Sequence, residues 1–532
     1  MDLVLRNGTV IDGTGTPSRP GDVVVSGDRV VAVSPAGKGE AVQGAASAVE
    51  VDCSGLIVCP GFIDIHSHSD ISVFLYPSAM NYVAQGVTLL LSGNCGFSGA
   101  PIDTSRPDVV ALLGRDERVL KAITWRTFSE YLATLDNLPK AVNVALLVGH
   151  GNIRVAALGP TDRQPGPGEL EAMKAVVREA MRAGACGLST GLIYAPGVFA
   201  TTEEIVELAK VAAAYGGIYA THVRNESDLL LDAVLEAIRI GRESGARVEV
   251  AHHKASGRRN WGLVRTSLAL MDYHRRLGTE ITCDVYPCTA GATGLEAFFP
   301  PWAHRDGRAG FEAALKDEAS RGRMRSELSR PQTGWQNLLF DATPAGVRVT
   351  WSPVFPQHVG RTLDEIARET ASDVYETMMD LALEDPDLSV TVEGMSEDDV
   401  RYVISHRLSM IASDAAVVVP GEGLPHPRTY RAFTRVLATY ARDEGVLTVE
   451  RAIHKMTGMP AWKLGLADRG VLRPGAKADL AVFDLWGLGY DSRFGDSHHL
   501  SEGMVHVLVN GRWVIRDGRP TGDLPGEVVR RP

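Results

Sequence analysis

No run of about 18 apolar residues occurs in the 532-residue chain, so the sequence predicts no membrane-spanning helix. The opening stretch MDLVLRNGTVIDGTG has no basic segment ahead of a long apolar core, so no signal peptide is expected. Basic residues are the minority. Lys+Arg 54 against Asp+Glu 65 leaves a net charge of −11, the wrong sign for a general nucleic-acid or anionic-membrane surface. Cysteine is scarce too. Six thiols, at positions 53, 59, 95, 186, 283 and 288, are too few for a disulfide framework in a chain this long. Several fall inside apolar strands, where reduced cysteine acts as a small hydrophobe. Low-complexity segments and short solenoid repeats are missing. No Gly-x-Gly-x-x-Gly follows a strand, which argues against a doubly wound dinucleotide-binding sheet. These absences leave a reduced cytoplasmic enzyme as the expectation. Its partner would be a small molecule, with no nucleic acid and no membrane, and nothing in the sequence sets an oligomeric state.

What is present is ordinary for a large globular protein: 45% apolar and 22% charged residues, enough for a sizeable core and more than one domain. Residues 1–55 read as short strands punctuated by Asn7-Gly8, Asp12-Gly13 and Gly27-Asp28. From 56 the rhythm changes to apolar strands alternating with amphipathic helices. Strand candidates lie at 61–66, 87–91, 144–148, 185–189, 218–222, 248–252, 281–285 and 410–413, and helical patterns at 168–183, 202–215 and 228–244. Eight such strands predict an α/β fold, a (β/α)8 barrel over about 56–465. The stretch between the last two strands is too long for one loop. We read about 288–350 as an inserted subdomain over the barrel mouth, and 362–383 and 396–406 as ordinary outer helices. Residues 466–532 turn β-like again, with Asn510-Gly511 as a hairpin signal, and are expected to pair with residues 1–55 in one small β domain.

Active sites of such barrels sit at the C-terminal ends of the strands. There the chain places His66 and His68 (DIHSHSD), Cys95 (SGNCGFS), His222 (THVRNES), His252, His253 and Lys254 (AHHKASG) and Asp414 (IASDA). Neutral imidazole and thiolate suit zinc, and a carboxylate either binds metal or carries protons. His66 and His68, two apart, are expected to share one face. His252 and His253 point to opposite sides, with His252 expected to be the ligand and His253 either to support the ligands from behind or to serve packing. His150, in GHGNIR, sits at the rim and either touches substrate or supports the structure.

With these motifs, together with STGLIYAPG, DVYPCTAG and LPHPRTY, the chain resembles the amidohydrolase superfamily, and within it the N-acyl-D-amino-acid deacylases (D-aminoacylases). The resemblance implies a tight Zn2+ site of Cys95, His222 and His252, with His66, His68 and Asp414 forming a second, weaker one. It implies hydrolysis of a linear amide by metal-activated water, with Asp414 as general base and acid. Lys254 and Arg428 would anchor the substrate carboxylate, with Tyr194, Tyr286 and Thr289 around it. Ala415 after the aspartate, the apolar AAVVVPGEG and Arg431 depart from the family pattern and bear on substrate preference. The sequence leaves the substrate side chain open between apolar and acidic, with Phe298, Phe299 and Trp302 of the insert on the apolar side of the balance. The rival readings are a cyclic-amide hydrolase or unusual-linkage dipeptidase of the same superfamily, and a non-catalytic barrel scaffold.

Overall fold

The computed structural model describes residues 2–38, 48–106, 109 and 116–531. Eight parallel strands follow one another around a barrel: β1 (Phe62–Asp64), β2 (Val87–Ser92), β3 (Asn143–Leu146 continued by Val148–Gly149), β4 (Gly187–Gly191), β5 (Ile218–His222), β6 (Arg247–Val250), β7 (Ile281–Val285) and β8 (Ser409–Ile411). The barrel closes where β1 meets β8. The Asp414 N–H donates to the His66 carbonyl at 2.9 Å, and the His68 N–H to the Ala415 carbonyl at 2.7 Å. Asp64 pins the same seam, its carboxylate accepting from the Ser413 N–H at 3.0 Å and from the Ser413 hydroxyl. Val, Ile and Leu are the commonest residues of these strands, as a sheet covered by helices favours.

The outer helices carry ordinary signals. Pro167–Ala183 opens with Pro at its first turn and stops at Gly184 in the left-handed conformation. Thr202–Ala214 is capped by the Thr201 hydroxyl accepting from the Glu204 N–H. Among the described residues, no helix is long and apolar enough to cross a membrane.

Strands from both ends of the chain share one nine-stranded sheet. Leu480–Phe483 pairs antiparallel with Ile57–Pro60, which lies parallel to Asp2–Val10. The segments read as separate strands around Asn7-Gly8 are a single strand, Asp2–Val10, with a register shift between Leu5 and Gly8. Asn7 takes φ +61° there, so the turn signal marks a bulge.

The excursion between β7 and β8 differs from the sequence reading. Ala290–Gly294, Val347–Trp351 and Ser389–Glu393 form an antiparallel sheet of their own, with Ser389–Glu393 in the middle. Its buried cluster includes Phe298, Phe311 and Val390, but also Leu363, Ile366, Met378 and Met379. The segment 362–383, read as outer barrel helices, therefore packs into this insert, which runs on to Glu393. Only Glu397–Ser405 returns to the barrel, burying Val400, Val403 and Ile404. Amphipathic helices look alike whichever core they cover, so their periodicity carried no address.

Candidate metal centre

The donors contributed by β1, β2, β5, β6 and β8 converge at one rim. Cys95 Sγ lies 3.4 Å from His252 Nε2 and 3.4 Å from His66 Nε2. The donor atoms of Cys95, His222 and His252 all lie within 4.8 Å of one another, as do those of His66, His68 and Cys95, and of His66, His252 and Asp414. His68 Nε2 stands 3.1 Å and His66 Nε2 3.5 Å from Asp414 Oδ1. β1 ends at Asp64, so the two histidines leave from irregular backbone just beyond it, yet their rings sit 5.3 Å apart. Cys95, His252 and Asp414 all hold positive φ, +52°, +33° and +49°. Non-glycine residues seldom adopt this region, and three adjacent side chains forced into it mark a strained, over-determined site.

The neighbouring carboxylates hold the rings in place. Asp284, at the end of β7, stands 3.2 Å from His66 Nδ1 and accepts the His252 backbone N–H at 2.8 Å. Glu226 lies 2.9 Å from His252 Nδ1 and accepts from Lys254 Nζ at 2.7 Å. Sequence reasoning missed both residues. The signals available were an acidic residue four positions after His222 in THVRNES and the aspartate that opens DVYP.

Electrostatics fits a cation here. Burial raises the Cys95 thiol, but His66 and His252 outweigh it and hold the group well below the usual thiol range. Burial likewise opposes ionisation of Asp414, and Arg428, His252 and His66 reverse it, so its carboxyl stays ionised. Burial depresses His66 and His68, yet anionic neighbours prevail: Asp284, Cys95 and Asp414 for His66, Asp414 and Cys95 for His68, which reaches about 9. A thiolate and several carboxylates thus draw positive charge onto the imidazoles. A divalent ion satisfies the same demand while the rings give up protons. His222 has both ring nitrogens buried with no hydrogen-bond partner, as a histidine awaiting a ligand would. Tetrahedral zinc, with donors at about 2.0–2.3 Å, sets neighbouring donors roughly 3.5 Å apart, so the residues fit it.

The centre opens into a cavity of about 490 Å³ between the barrel mouth and the insert. Lys254, Arg428, Tyr194 and Tyr286 line it. Arg428 is buried, its Nη1 2.8 Å from Asp414 Oδ2 and its guanidinium 4.3 Å above the Tyr286 ring, while its Nε has no hydrogen-bond partner. Thr289 does not border this cavity. It is half-buried, its carbonyl accepting from the Met395 N–H, and Thr293 reaches the wall instead. Of the three insert aromatics only Phe299 faces the cavity; Phe298 is fully buried in the insert and Trp302 packs against that core. His150 is buried against Glu204 at 2.7 Å, with Arg154 on the other carboxylate oxygen, and supports the wall from behind. His253 turns outward to the Ser267 hydroxyl at 2.8 Å. Arg431 donates to the Ser492 carbonyl at 2.5 Å, outside the cavity.

A sequence model of the amidohydrolase family matches residues 49–515. D-aminoacylase of Alcaligenes xylosoxydans xylosoxydans is 36% identical over 531 residues, covering 100% of this chain and 98% of that protein. N-acyl-D-glutamate deacylase of the same organism is 34% identical over 533 residues, covering 100% and 97%. A solved N-acyl-D-glutamate deacylase from Bordetella bronchiseptica, complexed with zinc and a phosphonate mimic of the tetrahedral intermediate, superposes with a TM-score of 0.82. It is 34% identical, and the match covers 100% of this chain and 99% of that one. With its closed eight-stranded barrel, its cluster of imidazole and thiol donors and this likeness over its whole length, the chain belongs to the amidohydrolase family, in the branch that holds the D-aminoacylases.

Proposed function

We propose that this protein hydrolyses the amide bond of N-acyl-D-amino acids, releasing a carboxylate and a free D-amino acid. Zinc would be held tightly by Cys95, His222 and His252, with His66, His68 and Asp414 as a neighbouring, weaker site. One observation carries the reading: donor atoms of the types zinc selects lie within 4.8 Å of one another beside a buried, ionised aspartate on one cavity. The relatives' activities support it.

When bound, zinc supplies a Lewis acid for the acyl carbonyl and lowers the pKa of coordinated water. Asp414 takes the proton from the attacking water and passes it to the leaving amine nitrogen. Arg428 holds the second oxygen of Asp414, so Oδ1 faces His66 and His68. Arg428, with a guanidinium N–H to spare, and Lys254, both beside the Tyr286 ring, bind the α-carboxylate. Reacting carbonyl, carboxylate and side chain then fix the α-carbon at three points, which selects one hand. Tyr194 meets the His222 ring edge-on, with centroids 5.1 Å apart, and closes the wall beside the reacting centre. Six unpaired, buried cysteines support a reducing compartment such as the cytoplasm.

Zinc stoichiometry by elemental analysis, paired with kcat/KM for both enantiomers of N-acetylmethionine and for a hydantoin, tests the proposal. The expected result is bound zinc with turnover of the D-enantiomer. Turnover of the hydantoin alone would replace the proposal with cyclic-amide hydrolysis.

A further inference from the structure

The relatives include enzymes for acidic and for other D-amino acids, and the cavity of this chain bears on which side chain it accepts. Resting on the deacylase reading, we propose that the substrate side chain is neutral and apolar, and that N-acyl-D-glutamate and N-acyl-D-aspartate are poor substrates.

A second carboxylate on the substrate needs a counter-charge inside the cavity, because a buried anion without one is costly. Arg428, Lys254 and Arg308 are the lysine and arginine side chains on the described wall. Arg428 is paired with Asp414, and its remaining donor capacity faces the α-carboxylate. Lys254 donates to Glu226 at 2.7 Å, and its remaining donor capacity is taken by the α-carboxylate in the proposed binding mode. Arg308, at the insert end, is committed on every side: to Glu296, to Glu312 at 2.8 Å, and to the Ala382 and Leu383 carbonyls, each at 3.2 Å. His304 at the same end stacks on Phe311 with ring centroids 4.2 Å apart, and burial lowers its pKa to about 4, so it is neutral. Glu296, paired with Arg308, and Asp387 also line that end and bring no positive charge to it. The surface left over for a side chain is uncharged and mostly apolar, with Phe299, Leu338, Val392, Met395, Ile193 and Val198 beside the hydroxyl residues Thr293 and Ser256. An aliphatic, thioether or phenyl group gains by leaving water for such a wall, while an acid loses its hydration and gains no counter-charge.

The test is kcat/KM of the zinc-loaded protein on N-acetyl-D-methionine, -D-leucine, -D-glutamate and -D-aspartate. The neutral substrates should lead the acidic ones by about 100-fold or more, as the loss of a counter-ion implies. Glu296→Gln, which removes an anion and loosens the hold on Arg308, should narrow the methionine-to-glutamate gap by about 10-fold. Turnover of either acidic substrate within about 10-fold of methionine, or a gap unmoved by Glu296→Gln, overturns the proposal while the deacylase reading stands. Failure to hydrolyse any of the four removes the deacylase reading, and this inference falls with it.

Discussion

Asp414 Oδ2 lies 2.8 Å from Arg428 Nη1, a buried ion pair set directly against the imidazoles of His66 and His68. The guanidinium keeps the carboxylate ionised and stationary, and it leaves one oxygen facing the reacting centre. Asp414→Asn keeps the shape and removes the proton acceptor. The expected outcome is a fall in kcat of about 10³-fold or more, in the range for loss of a general base, with zinc on Cys95, His222 and His252 nearly unchanged. Stopped or steady-state assays alongside metal analysis check it, and near-normal turnover would strip Asp414 of its assigned role.

Cys95 supplies the thiolate between two imidazoles, 3.4 Å from each. Cys95→Ala should lose most of the tightly held zinc and, with it, activity, while circular dichroism stays that of a folded barrel. Full zinc occupancy in this variant would move the tight site elsewhere.

Glu226 touches both His252 Nδ1 and Lys254 Nζ and is the outer partner that orients the ring. Glu226→Gln should weaken zinc binding by about 10- to 100-fold, the usual cost of removing such a partner. Chelator competition measures that directly. KM should rise as well, since Lys254 loses the group that holds it beside Tyr286. An unchanged zinc affinity would make Glu226 a simple counter-charge for Lys254.

Gly191, at the end of β4, faces the loop that presents Cys95. A Cβ there would strike the Cys95 carbonyl oxygen and crowd the Tyr194 ring. Gly191→Ala is expected to reduce zinc content and kcat together, because the thiolate would shift by a sizeable part of its bond length to the metal. A variant with normal zinc and normal rate would show that the loop yields freely.

Away from the centre, Arg469 is buried between Asp479, Glu527 and Asn510 and ties the tail to the sheet built from both chain ends. Arg469→Met would leave Asp479 buried without its counter-charge, on the hydrogen bonds from Asn143 and the Asn510 N–H alone, and should destabilise the protein by about 3 kcal/mol. The denaturation midpoint reports it, with kcat of the still-folded fraction expected to be unaffected.

Much of this was readable in advance at particular residues. His222 ends one barrel strand and His252 follows the next by two positions, so their places past consecutive strands put them at the same rim. Asp284 and Glu226 were harder. Nothing local distinguishes a carboxylate that orients an imidazole from one that faces solvent, and their partners lie on other strands, His66 being 218 residues from Asp284. Thr289 was misplaced because its position depends on how the chain leaves β7 for the insert.

The sequence by itself determined the eight strand cores, their alternation with helices and the donor types waiting just past their ends, because each is written in a few neighbouring residues through burial period and side-chain chemistry. Only the tertiary structure decided that 362–383 belongs to the insert, that Glu226 and Asp284 steady the rings, and that Arg308 is already spoken for inside the cavity. Those outcomes depend on which distant surfaces meet when the barrel closes and the insert folds over it. Such meetings are set by packing between segments, which a local pattern does not encode.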